Sequence, residues 1–120
     1  MSTAKQNWIA ELQRTALAAE RLALREEKQA DQWQAEMEAL EAELDPAWDV
    51  YAALRRSYPE AVRTAEQAET LDQMRKTYYA LEDRIDTLRR SIISNRAIAE
   101  YERFRADECR KREIAVRREW

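Results

Sequence analysis

Stepping three then four residues from Ile9 meets Leu12, Ala16, Ala19, Ala23, Glu26, Ala30, Trp33, Met37, Leu40 and Leu44. Ten of these eleven positions are apolar. Apolar residues that recur every 3.5 positions form the seam along which one α-helix packs on another. The steps stay in phase through Ala47, Tyr51, Leu54 and Tyr58. A second seam follows Pro59: Leu71, Met74, Tyr78, Leu81, Ile85, Leu88, Ile92, Asn95, Ala99, Glu102, Ala106 and Cys109. The pattern predicts two long helices, an arm over about 4–57 and an arm over about 60–118.

Two prolines punctuate the pattern. Asp45-Pro46 and Tyr58-Pro59 both read as helix starts, with the residue before each proline pushed out of the α region. The seam keeps its phase through Pro46, which favours a kink or brief interruption at 45–46 over a change of direction. It loses its phase at Pro59, which places the turn near Tyr58-Pro59. The predicted fold is all-α: a long antiparallel two-helix hairpin, with a three-helix bundle as the alternative if Pro46 breaks the first arm.

The seams also suggest a register. Leu44 with Met74, Leu40 with Tyr78, Met37 with Leu81, Trp33 with Ile85 and Ala30 with Leu88 each sum to 118, twice the position of Pro59. A chain folding back at Pro59 stacks these pairs in layers, and each arm of such a rod spans about 85 Å at 1.5 Å per residue. The layers near the turn are bulky. Those near the termini are filled by alanines and by Glu26, Asn95 and Glu102, and alanine removes little area from water at about 25 cal/mol per Å².

Composition narrows the function. The chain has 120 residues, 38% of them charged, with no glycine and no histidine. Without histidine, the commonest general base and metal ligand are missing, as are Ser–His and Cys–His nucleophiles. One cysteine, Cys109, allows neither an intrachain disulfide nor a multi-cysteine zinc site. On the 118 register the two seam carboxylates, Glu26 and Glu102, lie about 15 Å apart along the helices, too far to share a proton or a metal. These features predict no catalysis, no cofactor and no metal, and a two-helix rod with no concave pocket predicts no small-molecule substrate. A lone thiol, and the lack of a membrane span or an apolar leader, predict a cytoplasmic protein with no membrane insertion.

Charge and off-seam apolar residues supply the candidate surfaces. Leu17, Leu24, Ile93, Tyr101 and Phe104 fall on faces that a two-helix hairpin does not cover, a candidate interface for a partner or for homodimerisation. Arg89, Arg96, Arg103, Arg110 and Arg117 recur every seven residues along the edge of the second seam. On the 118 register Glu27 and Glu20 pair with Arg89 and Arg96, leaving the last three without acids. Together with Arg105, Lys111, Arg112, Arg118 and Trp120 these form a basic candidate docking surface. Between Gln29 and Leu54 the chain carries seven acids and no base. Glu36, Glu38, Glu41, Glu43, Asp45 and Asp49, with Trp48 as an anchor, make an acidic candidate patch.

In length and periodicity the chain resembles the helical-hairpin stalks of secretion and flagellar export ATPases, prefoldin-like arms and small phage or bacterial inhibitors. The expected function is a non-enzymatic, protein-binding scaffold or adaptor. The alternatives are a small regulatory inhibitor that blocks a partner's charged surface and, less favoured given the net charge of −3, a nucleic-acid-binding accessory protein.

Overall fold

The computed structural model describes residues 3–119. They form two long α-helices, α1 (Ala4–Ser57) and α2 (Ala65–Glu119), joined by a turn that contains a short 3-10 helix, Glu60–Val62. The chain is a helical hairpin with no strand among the described residues, as the two seams predict. The three-helix alternative is ruled out, because α1 runs unbroken through Pro46. Pro46 deprives the Ala42 carbonyl of its helical partner. Both residues are exposed, so water can satisfy that oxygen and the seam is untouched.

Both helices start in the same way. Thr3 Oγ1 accepts from the Gln6 amide at 3.1 Å, and Gln6 Oε1 accepts from the Thr3 amide at 3.0 Å. Thr64 and Gln67 repeat this arrangement at 3.1 and 3.0 Å. Each is a capping box, in which a threonine and the residue three places on satisfy each other's free amides. The stretches Thr3-Ala4-Lys5-Gln6 and Thr64-Ala65-Glu66-Gln67 carry it in the sequence.

The second box moves the start of the second helix from the expected 60 to Ala65. The intervening residues make the reversal. Pro59 sits at φ −55°, ψ 136°, Val62 donates to the Pro59 carbonyl at 3.1 Å, and Arg63 is extended. The Arg63 guanidinium ties the turn to the end of α1, donating through Nε and Nη2 to the Tyr58 carbonyl at 3.0 and 2.8 Å. No described residue has positive φ, so the reversal proceeds without glycine.

Packing divides the chain into two units: a terminal unit, Met1–Asp31 with Ile92–Trp120, and a turn unit, Gln32–Ser91. In the terminal unit Ile9 and Leu12 pack on Val116, and Ala16 and Ala19 pack on Ala106, with Cys109 against both clusters. Ile9 with Val116, Ala16 with Cys109 and Ala19 with Ala106 each sum to 125. This corrects the register by one heptad. The reversal is centred at Val62–Arg63 and not at Pro59, because the turn and its capping box take up residues the seam pattern does not reveal. In the turn unit Met37, Tyr51, Leu71, Ile85 and Leu88 are buried, and Leu44, Leu54, Met74 and Leu81 are partly buried.

The capping box is a direct handle on this register. Thr64→Ala removes the acceptor for the Gln67 amide and is expected to cost about 1 kcal/mol. Urea denaturation should show a lower midpoint with an unchanged slope. An unchanged midpoint would mean the box does not hold the turn.

Candidate partner-binding surface

The two flanks of the seam differ in chemistry. With the seam residues labelled a and d, the e positions just after each d carry Glu20, Glu27 and Glu41 on α1. On α2 they carry Arg89, Arg96, Arg103, Arg110 and Arg117. In the terminal unit Arg110 bonds Glu20 at 2.7 Å, Arg103 pairs with Glu27, and Arg96 reaches Asp31 at 3.9 Å. In the turn unit Arg89 pairs with Glu41 at 3.4 Å. The expectation that Arg103 and Arg110 lack acids is therefore wrong, and Arg89 and Arg96 do not pair with Glu27 and Glu20.

Register accounts for half of that error and the offset of partners along the e flank for the rest. On this flank each partner lies beyond the other's height toward its own C-terminus, so the numbers sum to more than those of the core layers, whereas Arg84–Glu36 on the g flank sums to 120. Arg110–Glu20, Arg103–Glu27 and Arg89–Glu41 all sum to 130, against 125 in the core. The same rule sets Arg117 toward Gln13, which is uncharged, and Arg117 turns to Glu113 of its own helix at 3.9 Å. Pairs this exposed contribute about 0–1 kcal/mol each. Their greater effect is to favour one register and orientation over the others.

The opposite flank, at the g positions, is more apolar in the terminal unit. α1 places Trp8, Thr15 and Leu22 there, and α2 places Ile98, Arg105 and Arg112. A cleft of about 420 Å³ opens on this side, lined by Thr15, Phe104, Arg105, Glu108, Cys109 and Arg112. Phe104 and Tyr101 are each 60% exposed, and Ile98 is 41% exposed. By helical position Tyr101 borders the same flank. Leu17, Leu24 and Ile93 are exposed too, but their positions lie on the other side, beyond the ion pairs. The five apolar candidates thus form two surfaces and not one. Ile114, also exposed, takes the same helical position as Ile93 and so adds to the second of these surfaces.

Several of the basic candidates have local partners. Arg105 holds both oxygens of Glu102 at 3.1 and 3.3 Å, and Lys111 reaches Glu108 at 3.4 Å. Arg112 and Arg118 make no ion pair among the described residues, and Trp120 lies outside them. In the acidic patch Glu36 pairs with Arg84 at 2.9 Å, and Glu38 accepts from the Gln34 amide at 2.9 Å. Glu43, Asp45 and Asp49 remain without an ion pair among the described residues. Trp48 packs on Tyr51 and Tyr78, at 5.4 and 5.0 Å between ring centroids.

The corrected register also brings Glu26 and Glu102 into neighbouring layers, three residues or about 4.5 Å apart along the axis. Separation is therefore no longer an argument against their acting together. Glu102 is buried and held by Arg105, whereas Glu26 lies 3.9 Å from Arg25. Among the described residues, no group of three or more His, Cys, Asp or Glu could hold a metal ion, and no helix is long and apolar enough to cross a membrane. A third seam carboxylate, Glu113, follows Cys109 in phase. Its Oε1 is buried without a hydrogen bond, since Arg117 at 3.9 Å is too distant for one.

No protein-family model, curated protein or solved structure matches the chain.

Glu113 yields a test of this seam. A buried oxygen without a partner costs about 1–3 kcal/mol, and the register sets Glu113 at the height of Leu12. Glu113→Leu should raise the melting temperature, as followed by circular dichroism. A lower melting temperature would show that the carboxylate is satisfied in solution.

Proposed function

We propose that the chain is a non-enzymatic, protein-binding helical hairpin that docks its partner along the apolar flank of the terminal unit. The observation that carries this reading is the asymmetry of the two flanks. Charged side chains line one, including its cleft of about 580 Å³, while the other leaves Ile98, Tyr101 and Phe104 exposed beside a cleft. Exposed aromatic side chains are enriched at the centre of protein interfaces. The unpaired Arg112 supplies a charged rim.

A second copy of the chain is the first partner to consider. Two hairpins meeting through the same flank would form a four-helix assembly, with each copy's Tyr101 and Phe104 covered by the other's helices. The alternative, a regulatory inhibitor presenting an acidic surface, draws support from the turn unit. Its 8 basic and 13 acidic residues give a net charge of −5, against +2 from 13 basic and 11 acidic residues in the terminal unit.

Light scattering on a sizing column, at micromolar concentration, separates the possibilities. The wild-type chain should have the mass of a dimer, the double variant Tyr101→Glu/Phe104→Glu that of a monomer, and Leu24→Glu on the opposite flank that of a dimer. A monomeric wild type would rule out self-association. Dissociation by Leu24→Glu, with Tyr101→Glu/Phe104→Glu still dimeric, would place the interface on the other flank.

A further inference from the structure

The turn unit gathers arginines against its own prevailing charge. Arg55 near the end of α1, Arg63 in the turn and Arg75 in α2 line one cleft of about 280 Å³, with Trp48, Tyr51 and Tyr79 supplying rings. A smaller adjoining cleft shares Tyr51 and all three arginines. General basicity does not explain this convergence, because the unit carries a net charge of −5. Three guanidinium groups around one cleft repel each other, and the acids at hand offset them only in part. Glu60 lines the same cleft. Asp72 takes Arg75 at 2.8 Å but also Lys76 at 3.0 Å. Those two bonds, Lys76 first, hold its carboxyl below the ordinary range. Arg55 makes no ion pair among the described residues.

The donors are also held in position. Arg63 is fixed in the turn by its two bonds to the Tyr58 carbonyl, which leaves Nη1 as its remaining nitrogen. A guanidinium anchored in this way presents its remaining donors at little cost in side-chain entropy. The rings are braced as well. Trp48 stands 5.0 Å from Tyr78, and Tyr78 stands 5.8 Å from Tyr79, in tilted and edge-on pairs. Tyr51 is buried, whereas Trp48 and Tyr79 are about half exposed and offer ring surface at the rim.

We propose that this cleft binds a phosphate carried on a planar ring, the chemistry of a nucleoside monophosphate. The phosphate accepts charge-assisted hydrogen bonds from Arg55, Arg63 and Arg75, and the ring stacks at the rim on Trp48. The volume is at the lower end of small-molecule sites, which suits a phosphate inside and a base lying across the mouth. Such a ligand bridges α1, the turn and α2 within the turn unit. It is independent of the apolar flank of the terminal unit, so either proposal can fail alone.

The test is calorimetric titration of the full chain with adenosine monophosphate, with adenosine and inorganic phosphate as separate arms. The nucleotide should bind at least about tenfold more tightly than either fragment. Arg55→Gln, an exposed position where the fold should survive, is expected to weaken the nucleotide at least about tenfold. Trp48→Ala should weaken the nucleotide but leave phosphate unchanged, with circular dichroism confirming helicity in both variants. Three results would each overturn the proposal: no binding of the nucleotide at millimolar concentration, equal affinity for nucleotide and phosphate, or unchanged binding by a folded Arg55→Gln.

Discussion

Close packing of α1 on α2 through alanine is the constraint on which the terminal unit depends. Ala16, Ala19, Ala23, Ala30, Ala99 and Ala106 are all buried to 3% exposure or less. Side chains this small let two helices approach closely but remove little apolar area from water. A seam of that kind is weakly selective, since one alanine layer is much like the next. The residues that select one register lie elsewhere: bulky pairs such as Ile9 with Val116, the capped turn, and the glutamate–arginine pairs on the e flank.

The same constraint shapes the surfaces. Larger apolar side chains of the terminal unit, such as Phe104 and Tyr101, remain outside the seam because their positions fall on the outward side of α2. The e flank is lined by charged side chains, its cleft included, so the more apolar face between the helices is the g flank with its cleft. The turn unit is different. Buried Leu71, Ile85, Leu88 and Tyr51 give it a conventional core, and its open features are charged and aromatic.

The 3.5-residue period made the architecture legible from the chain alone: two helices, one reversal, and a first helix that passes through Pro46. Register was not legible, for two reasons. Turn length was hidden until the Thr64–Gln67 box was recognised, although its Thr-x-x-Gln spacing stands in the sequence at 64–67 as it does at 3–6. Heptads repeat, so an error of seven residues preserves every apolar pairing and is invisible to pattern alone. The arginine repeat was visible, but its partners required both the register and the offset of partners along the e flank. Glu113 could have been found by following the seam two steps past Ala106. The arginine cleft could not, because Arg55, Arg63 and Arg75 are brought together by the geometry of the turn.

The register is the central claim, and cross-linking tests it directly. In a Cys109→Ser background, Ala19→Cys with Ala106→Cys places two thiols in one core cluster of the terminal unit. Ala19→Cys with Ala99→Cys serves the rejected register, in which the pair sums to 118. Mild oxidation followed by non-reducing electrophoresis should show a fast intrachain cross-link for the 19–106 pair and little for the 19–99 pair, since disulfides tolerate only a narrow range of separations. Efficient cross-linking of 19–99, with none at 19–106, would contradict the account.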